Sequence, residues 1–450
     1  MSQNPFSFES PVQDRERFFN RERITRDIID RLRLMQDSSV IGEQRMGKTS
    51  LLYHLSDPAV LRRYGLDPAR YVFVYVSFQD AAHLTPSLFW QRVLSVIVKS
   101  VVDADLHTTI ERMLGEGEID PSDVERLFLR VARKGLRVAL LLDEFETVTR
   151  AVKLDADFFA HLRSLAILPV LGLIFVTSSR RKLNELSHAG IVGSPFFNIF
   201  DTFVLRAFEQ PDAEAMLDTA LGGTDVKFSR REVDYLSLLS GRHPCLLQMA
   251  ASHLFDAYAV QGLADTDSSS ARLEHVEREF NLQAERYLRH YWQQSTNHER
   301  LFLLALSALR RSGAPDAPID LSQLQQVYRD AEMSARVLAD RGLVKQDERG
   351  YRSLSPALER WVVHEVTRAG SHGDYVAWLE DNAASLGRPV DSLRESAATL
   401  AGVLNSTYWP LVTEWARKTD EPQRMVGLIH ACAQPTAERP IWRDYARALV

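Results

Sequence analysis

Cysteine is scarce in this chain: among 450 residues only Cys245 and Cys432 occur, too few and too far apart for a disulfide scaffold or a cysteine-based zinc site. That usage points to a reducing compartment. A long hydrophobic run is also missing. The most extended apolar stretch, Leu165 to Val176, is broken by Pro169 and Gly172 and falls short of the ~20 residues that span a bilayer. Nor is there an excess of positive charge. With 54 Lys and Arg against 60 Asp and Glu the formal net charge is −6, which counts against a protein that lives on nucleic acid or on an anionic membrane and favours protein partners. The opening Met1-Ser2-Gln3-Asn4-Pro5-Phe6 carries neither a basic stretch nor an apolar core of the kind a signal peptide needs. No internal repeat or low-complexity tract is present. The expectation is a cytoplasmic globular protein, 45% apolar and 25% charged, with about two to four domains and cores of real size.

What is present is concentrated in two short stretches. Gly42-Glu43-Gln44-Arg45-Met46-Gly47-Lys48-Thr49-Ser50 matches G-x-x-x-x-G-K-[ST], the P-loop, whose glycines let successive backbone N–H groups converge on phosphate oxygens with a helix N-terminus behind them. Lys48 is expected to reach the β- and γ-phosphates of ATP, and the Thr49 hydroxyl to ligand Mg²⁺. The flanks fit: Ser39-Val40-Ile41 reads as a strand end, and Thr49 to Leu55 as a helix stopped near Asp57-Pro58. The second stretch, Val138-Ala139-Leu140-Leu141-Leu142-Asp143-Glu144, is an apolar run of strand length ended by two acids, a Walker B pattern. Asp143 is the candidate Mg²⁺ residue, acting through water, and Glu144 the candidate base for the attacking water.

Up to about residue 208 strand-like and helix-like segments alternate, which predicts an α/β core with a five-stranded parallel sheet. After the P-loop strand come Tyr71–Phe78, Leu136–Leu142, Gly172–Thr177 and Asp201–Ala207, with helical patterns at Ser87–Val102, Pro121–Arg133 and Ala156–Leu168. From 211 to about 291 only amphipathic helical segments occur, among them Arg230–Leu239 and Pro244–Tyr258, and these read as a helical lid. His298–Arg310, Leu321–Arg329 and Ser334–Arg341 read as three helices. Two short strands follow around Asp347-Glu348-Arg349-Gly350, the pattern of a winged helix, and Pro356–Thr367 reads as a further helix. The expected domains are therefore an ATPase core at 1–208, a lid at 209–297, a winged helix at 298–368, and a mostly helical region at 369–450 that carries Trp378, Trp409, Trp415 and Trp442.

P-loop, Walker B, helical lid and winged helix in this order resemble the STAND class of AAA+-related signalling ATPases. The full strand between the P-loop and Walker B strands, and Glu144 after Asp143, are similar to the additional-strand, catalytic-glutamate branch of P-loop ATPases. The segment Asn4-Pro5-Phe6, Pro11-Val12 and Phe18-Phe19-Asn20-Arg21-Glu22 looks like the N-terminal motif of a bacterial branch, in which Gly-Arg-Glu packs near the adenine. Here Asn20 stands where glycine is usual, and Asn tolerates positive φ better than other residues with a side chain. By the same resemblance Arg21 contacts the base region. The strand Leu173–Thr177 followed by Ser178-Ser179-Arg180 is similar to the sensor-1 strand, whose terminal arginine reads the γ-phosphate, a role open to Arg180 or its neighbour Arg181. Gly241-Arg242-His243-Pro244 resembles the lid signature in which Pro244 lies against the base.

The resemblance implies an ATP-binding, slowly hydrolysing switch whose nucleotide state controls self-association or engagement of a protein partner, with conflict or defence signalling among the roles of bacterial relatives. A DNA-binding initiator or loader is the alternative, because such ATPases also join an AAA+ core to a winged helix. Between His298 and Glu365, however, ten Lys and Arg balance ten Asp and Glu, whereas a module that tracks phosphates should be clearly basic.

Overall fold

The computed structural model describes residues 3–81, 83–259, 269–312, 318–327 and 331–367. The C-terminal region expected at 369–450, with its four tryptophans, lies outside the described residues. The described residues form two compact units, one of those within Glu9–Thr219 and the other of those before Glu9 together with those from Ala220 onward.

In the first unit the elements run α1 (Glu22–Arg33), β1 (Ser38–Ile41), α2 (Lys48–Ser56), α3 (Pro58–Arg63), β2 (Tyr71–Ser77), α4 (Pro86–Ser100), α5 (Ala104–Gly115), α6 (Pro121–Arg133), β3 (Arg137–Asp143), α7 (Glu146–Arg150), α8 (Ala156–Ala166), β4 (Leu173–Ser179), β5 (Asp201–Val204) and α9 (Gln210–Leu221), the last of which runs across the division between units. The five strands form one sheet in the order β2-β3-β4-β1-β5, with every pair parallel. The burial of each strand follows from its place. β3 and β4, covered on both faces, are buried almost throughout, whereas β2 at one edge alternates strictly and β5 at the other is largely open.

Each face of the sheet has its own core. Leu140, Leu142 and Phe175 pack with Phe89, Trp90, Phe128 and Phe159 of α4, α6 and α8, while Val40, Leu141 and Val176 pack with Ile28, Leu32, Leu51 and Leu55 of α1 and α2. Several helices start where a capping side chain precedes proline, as at Asp57-Pro58, Thr85-Pro86 and Asp120-Pro121, where the cap oxygen accepts a first-turn N–H and proline needs none. β4 extends two residues past the expected Thr177, to Ser179, because its backbone stays paired with β1 as far as Ile41. β5 is shorter than expected because its pairing partner β1 also ends there, at Ile41↔Val204.

In the second unit α10 (Arg230–Ser240), α11 (Pro244–Ala257) and α12 (Ser269–Gln293) form a helical subdomain. Its polar centre is Glu232, which accepts from Arg272 Nε at 2.9 Å, Tyr258 OH at 2.8 Å and Ser229 N at 2.8 Å, the last as half of a capping box. Phe6 packs beside Phe255 and Phe228, and Asn4 Nδ2 donates to Ser252 O and Asp256 Oδ1, so the N-terminal segment is a fourth part of this subdomain. Next come α13 (Asn297–Ser312), α14 (Leu321–Val327), α15 (Ala331–Arg341), the antiparallel pair β6 (Val344–Asp347) and β7 (Gly350–Ser353), and α16 (Pro356–Thr367). Ile319 bridges to Tyr351 as a minimal third strand. Within this unit the β6–β7 pair meets the helical subdomain at Gly241, whose carbonyl accepts from Lys345 Nζ at 2.7 Å.

Candidate functional site

The C-terminal ends of β1, β3 and β4 bring the two sequence motifs together. The chain order places β2 between the P-loop strand and the Walker B strand, but in the sheet it is β4 that separates them. The crevice beyond the carboxyl ends of such strands is where open parallel sheets bind ligands.

The loop itself is shaped by its glycines. A Cβ on Gly42 would lie 3.0 Å from the carbonyl oxygen of Leu205, so the chain can leave β1 this close to the residue after β5 only without a side chain. Gly47 has φ +97° and is the N-cap of α2 with no side-chain cap, leaving the first-turn amides without a side-chain acceptor. That is an anion site in waiting. Lys48 Nζ donates to the carbonyls of Gly42 at 2.9 Å and Glu43 at 3.2 Å, closing the loop on itself. Glu43 is buried and Arg45 has φ +65°. Gln44 N donates to Glu43 Oε2, Met46 N donates to Glu43 O, and Ser50 Oγ accepts from Val12 N at 2.9 Å.

Arg21 is held here as well. Its guanidinium donates to Arg206 O at 2.8 Å and reaches Met46 O at 3.5 Å, and it lies over the Phe208 ring. Burial lowers its pKa to about 10, which leaves it charged at neutral pH. Asn20 takes φ +50°, a left-handed conformation that asparagine tolerates better than other residues with a side chain. Pro244 does not belong to this unit; it is the first residue of α11 in the second one, behind the N-cap His243, whose Nε2 pairs with Tyr291 OH at 3.1 Å.

Asp143 ends β3 and is 2% exposed. Its Oδ2 accepts from Thr49 Oγ1 at 2.6 Å and from Tyr75 OH at 2.9 Å, while Oδ1 accepts from Ser178 Oγ and from the Glu144 N–H at 3.1 Å. Thr49 and Tyr53 lie one turn apart on α2, and the Tyr53 ring meets that of Tyr75 with centroids 4.7 Å apart. Burial, and then the charge of Asp143, push the Tyr75 phenol far above its usual pKa, so it stays a donor. A hard divalent cation prefers such oxygens, and a buried carboxylate bonded to the P-loop hydroxyl is a fitting donor set for Mg²⁺.

Glu144 follows with φ +54°, an uncommon conformation for a residue with a side chain. Burial, then the neighbouring Glu146, raise the pKa of its carboxyl above the ordinary range. Arg180, just past β4, donates from Nε to Glu146 Oε1 at 2.8 Å, whereas the Arg181 carbonyl accepts from Ser179 Oγ. Tyr75, Ser178 and Glu146 carried no expected role. Ser178 sits within the quoted strand end and Glu146 lies two residues past the Walker B stretch, but nothing in the sequence signals that Tyr75 on another strand reaches Asp143.

With this geometry in place, the comparisons with known proteins are decisive at the level of family. The family described as Novel STAND NTPase 2 matches residues 33–299. The chain belongs to that family. None of the curated proteins searched matches it. Among solved structures, this STAND NTPase is similar to a Walker-type ATPase of Pyrococcus abyssi, with TM-score 0.52 and 14% identity over 79% of this chain and 98% of that one. It is also similar to the ORC2 protein of Aeropyrum pernix in its ADPNP–ADP complexes, with TM-score 0.52 and 16% identity over 80% and 96% of the two chains. At such identities the likeness is one of fold. Among the described residues no helix is long and apolar enough to cross a membrane.

Proposed function

We propose that this STAND NTPase is an ATP-gated switch that binds ATP with Mg²⁺, hydrolyses it slowly, and uses its nucleotide state to control self-association or engagement of a protein partner. The observation that carries the reading is the Thr49–Asp143 bond at 2.6 Å beside Lys48, Glu144 and the uncapped start of α2. When bound, Mg²⁺ supplies charge neutralisation at the β- and γ-phosphate oxygens. Thr49 and Asp143 hold it. Lys48 exchanges its two carbonyl partners for phosphate oxygens, and the amides of Arg45 to Thr49 cradle them. Glu144, its basicity raised by burial, takes a proton from the attacking water. Arg180 provides the cation at the γ-phosphate end, Arg21 supports the base side of the loop, and Pro244 is the candidate contact from the lid.

In this reading ADP favours a closed arrangement of lid and winged helix on the core, and ATP an open one. About 5.5 kcal/mol of differential binding moves such an equilibrium from 1:99 to 99:1. The test is the mass of the pure protein by light scattering with ADP, with ATP and with neither. A nucleotide-dependent change in size is expected; identical mass and shape in all three would remove self-association as the output, leaving partner capture to be tested in the same three states.

The DNA-binding alternative rests on the winged helix, whose ten basic and ten acidic residues between 298 and 365 leave no net positive charge. Duplex DNA should therefore bind weakly, without sequence preference, and only at low salt. Submicromolar sequence-selective binding near physiological salt would promote it.

A further inference from the structure

An ionised carboxylate offers about four in-plane acceptor positions, and in Asp143 all four are filled from within the protein: Thr49 Oγ1 and Tyr75 OH on Oδ2, Ser178 Oγ and the Glu144 N–H on Oδ1. These donors differ in what they can give up. The Glu144 amide is fixed by the chain, Ser178 is fully buried on a central strand, and the Thr49 bond is compatible with a metal because a hydroxyl can donate its proton to a carboxylate while offering a lone pair to a cation. Tyr75 is different. It comes from the edge strand β2, it is half-buried at the margin of the core, and its ring rests against Tyr53.

We infer that the Tyr75 hydroxyl occupies the Asp143 position needed by a metal-bound water, so that Tyr75 is an internal competitor which sets how much Mg²⁺ the site requires. The inference rests on the assignment of Asp143 to the metal. A water in the coordination shell of Mg²⁺ reaches a carboxylate that does not ligand directly by donating a hydrogen bond to it, as phenol does here. Both donors cannot use the same lone pair, so the metal engages Asp143 fully only when Tyr75 turns away. A protein that must stay off until triggered gains from such a barrier, since it binds nucleotide at low Mg²⁺ without assembling its catalytic arrangement. Mg²⁺ is a reluctant partner in any case, keeping most of its waters and demanding regular octahedral geometry.

The experiment titrates Mg²⁺ against a fixed concentration of fluorescent ATP analogue and reads nucleotide binding, not turnover, in the parent and in Tyr75→Phe. Phenylalanine keeps the ring against Tyr53 and removes only the competing oxygen. The half-saturating Mg²⁺ concentration should fall about tenfold, the scale of one hydrogen bond to a charged group. Affinity for the analogue in EDTA should not change, which also shows that the P-loop is intact. An unchanged or raised Mg²⁺ requirement in Tyr75→Phe overturns the proposal, a rise meaning that the phenol positions Asp143 for the metal instead of competing with it. Should the parent itself bind the analogue equally with Mg²⁺ and with EDTA, it is the metal assignment of Asp143 that falls.

Discussion

Arg180 Nε donates to Glu146 Oε1 at 2.8 Å, three residues past the Walker B aspartate, and Glu146 is 2% exposed with its second oxygen, Oε2, buried and without a hydrogen-bond partner. The cation proposed to meet the γ-phosphate is thus bound to an internal carboxylate. A half-satisfied buried acid is costly, and a pair of this kind is poised to be exchanged for a better one.

Removing that acid should therefore favour ATP. Glu146→Gln keeps the shape but weakens the grip on Arg180, and the ratio of ATP to ADP affinity should rise by about three- to tenfold, as for part of a charge-assisted hydrogen bond. Arg180→Ala alone should lower the ratio but also destabilise the fold, because it leaves Glu146 buried and unpaired, at a cost of about 3–5 kcal/mol. The double variant Glu146→Gln with Arg180→Ala isolates the sensing role. If it binds ATP and ADP with the same ratio as the parent, Arg180 does not read the γ-phosphate and Arg181 is the residue to test.

Lys48→Ala should abolish binding of labelled ATP and ADP alike. Among the described residues its ammonium donates hydrogen bonds to the carbonyls of Gly42 and Glu43, groups that close the loop and not the core, so the thermal midpoint should move by only a few degrees. Equal affinity in mutant and parent would remove the nucleotide role of the loop.

Glu144→Gln should keep nucleotide binding and lose hydrolysis by at least about a hundredfold, since an amide positions water but cannot accept its proton. The pH dependence has a definite sign. The working form is the carboxylate, and burial with Glu146 nearby raises its pKa, so the rate in the parent should climb with pH through a midpoint above the ordinary carboxylate range and then level off. Glu146→Gln should shift that midpoint down, and a midpoint that stays in place in this variant would mean that the rate reports another group.

Asp37 gives a stability prediction independent of nucleotide. It sits ahead of β1, almost fully buried, accepting from the Phe175 N–H at 2.7 Å, and burial raises its pKa to about 7. A carboxyl with a raised folded-state pKa binds its proton more tightly folded than unfolded, so stability is lost as pH rises from about 4, where the unfolded chain ionises, to about 7, where the folded one does. The loss is on the order of 4 kcal/mol. Asp37→Asn should be close to the parent in urea melts at pH 4–5 and more stable at pH 8. An asparagine variant less stable at pH 8 would show the ionised form to be accommodated.

The residues of the P-loop and Walker B stretch were legible in the sequence because their chemistry is local. Gly42, Gly47 and Lys48 act through backbone conformation and a side chain a few residues away, and an apolar run ended by Asp143-Glu144 identifies a buried strand and its exposed end at once. The alternation of β2 and the cap-proline starts of α4 and α6 were legible for the same reason. Other features could not be read along the chain. Tyr75 lies 68 residues before Asp143 in sequence and reaches it only because β2 pairs with β3 in the register Ser77↔Asp143; the placing of β4 between β1 and β3 brings Ser178 and Arg180 to the same crevice. Helices α1 and α5 were missed although their buried faces, Ile28, Ile29 and Leu32 in one and Leu106, Ile110 and Met113 in the other, follow a helical period. The local chain specified the loop and the strand-end acids that are proposed to hold a triphosphate and a metal. Strand order and register decided which of them are already satisfied by one another, since hydrogen-bond saturation is a property of neighbours in space and sequence carries no record of it.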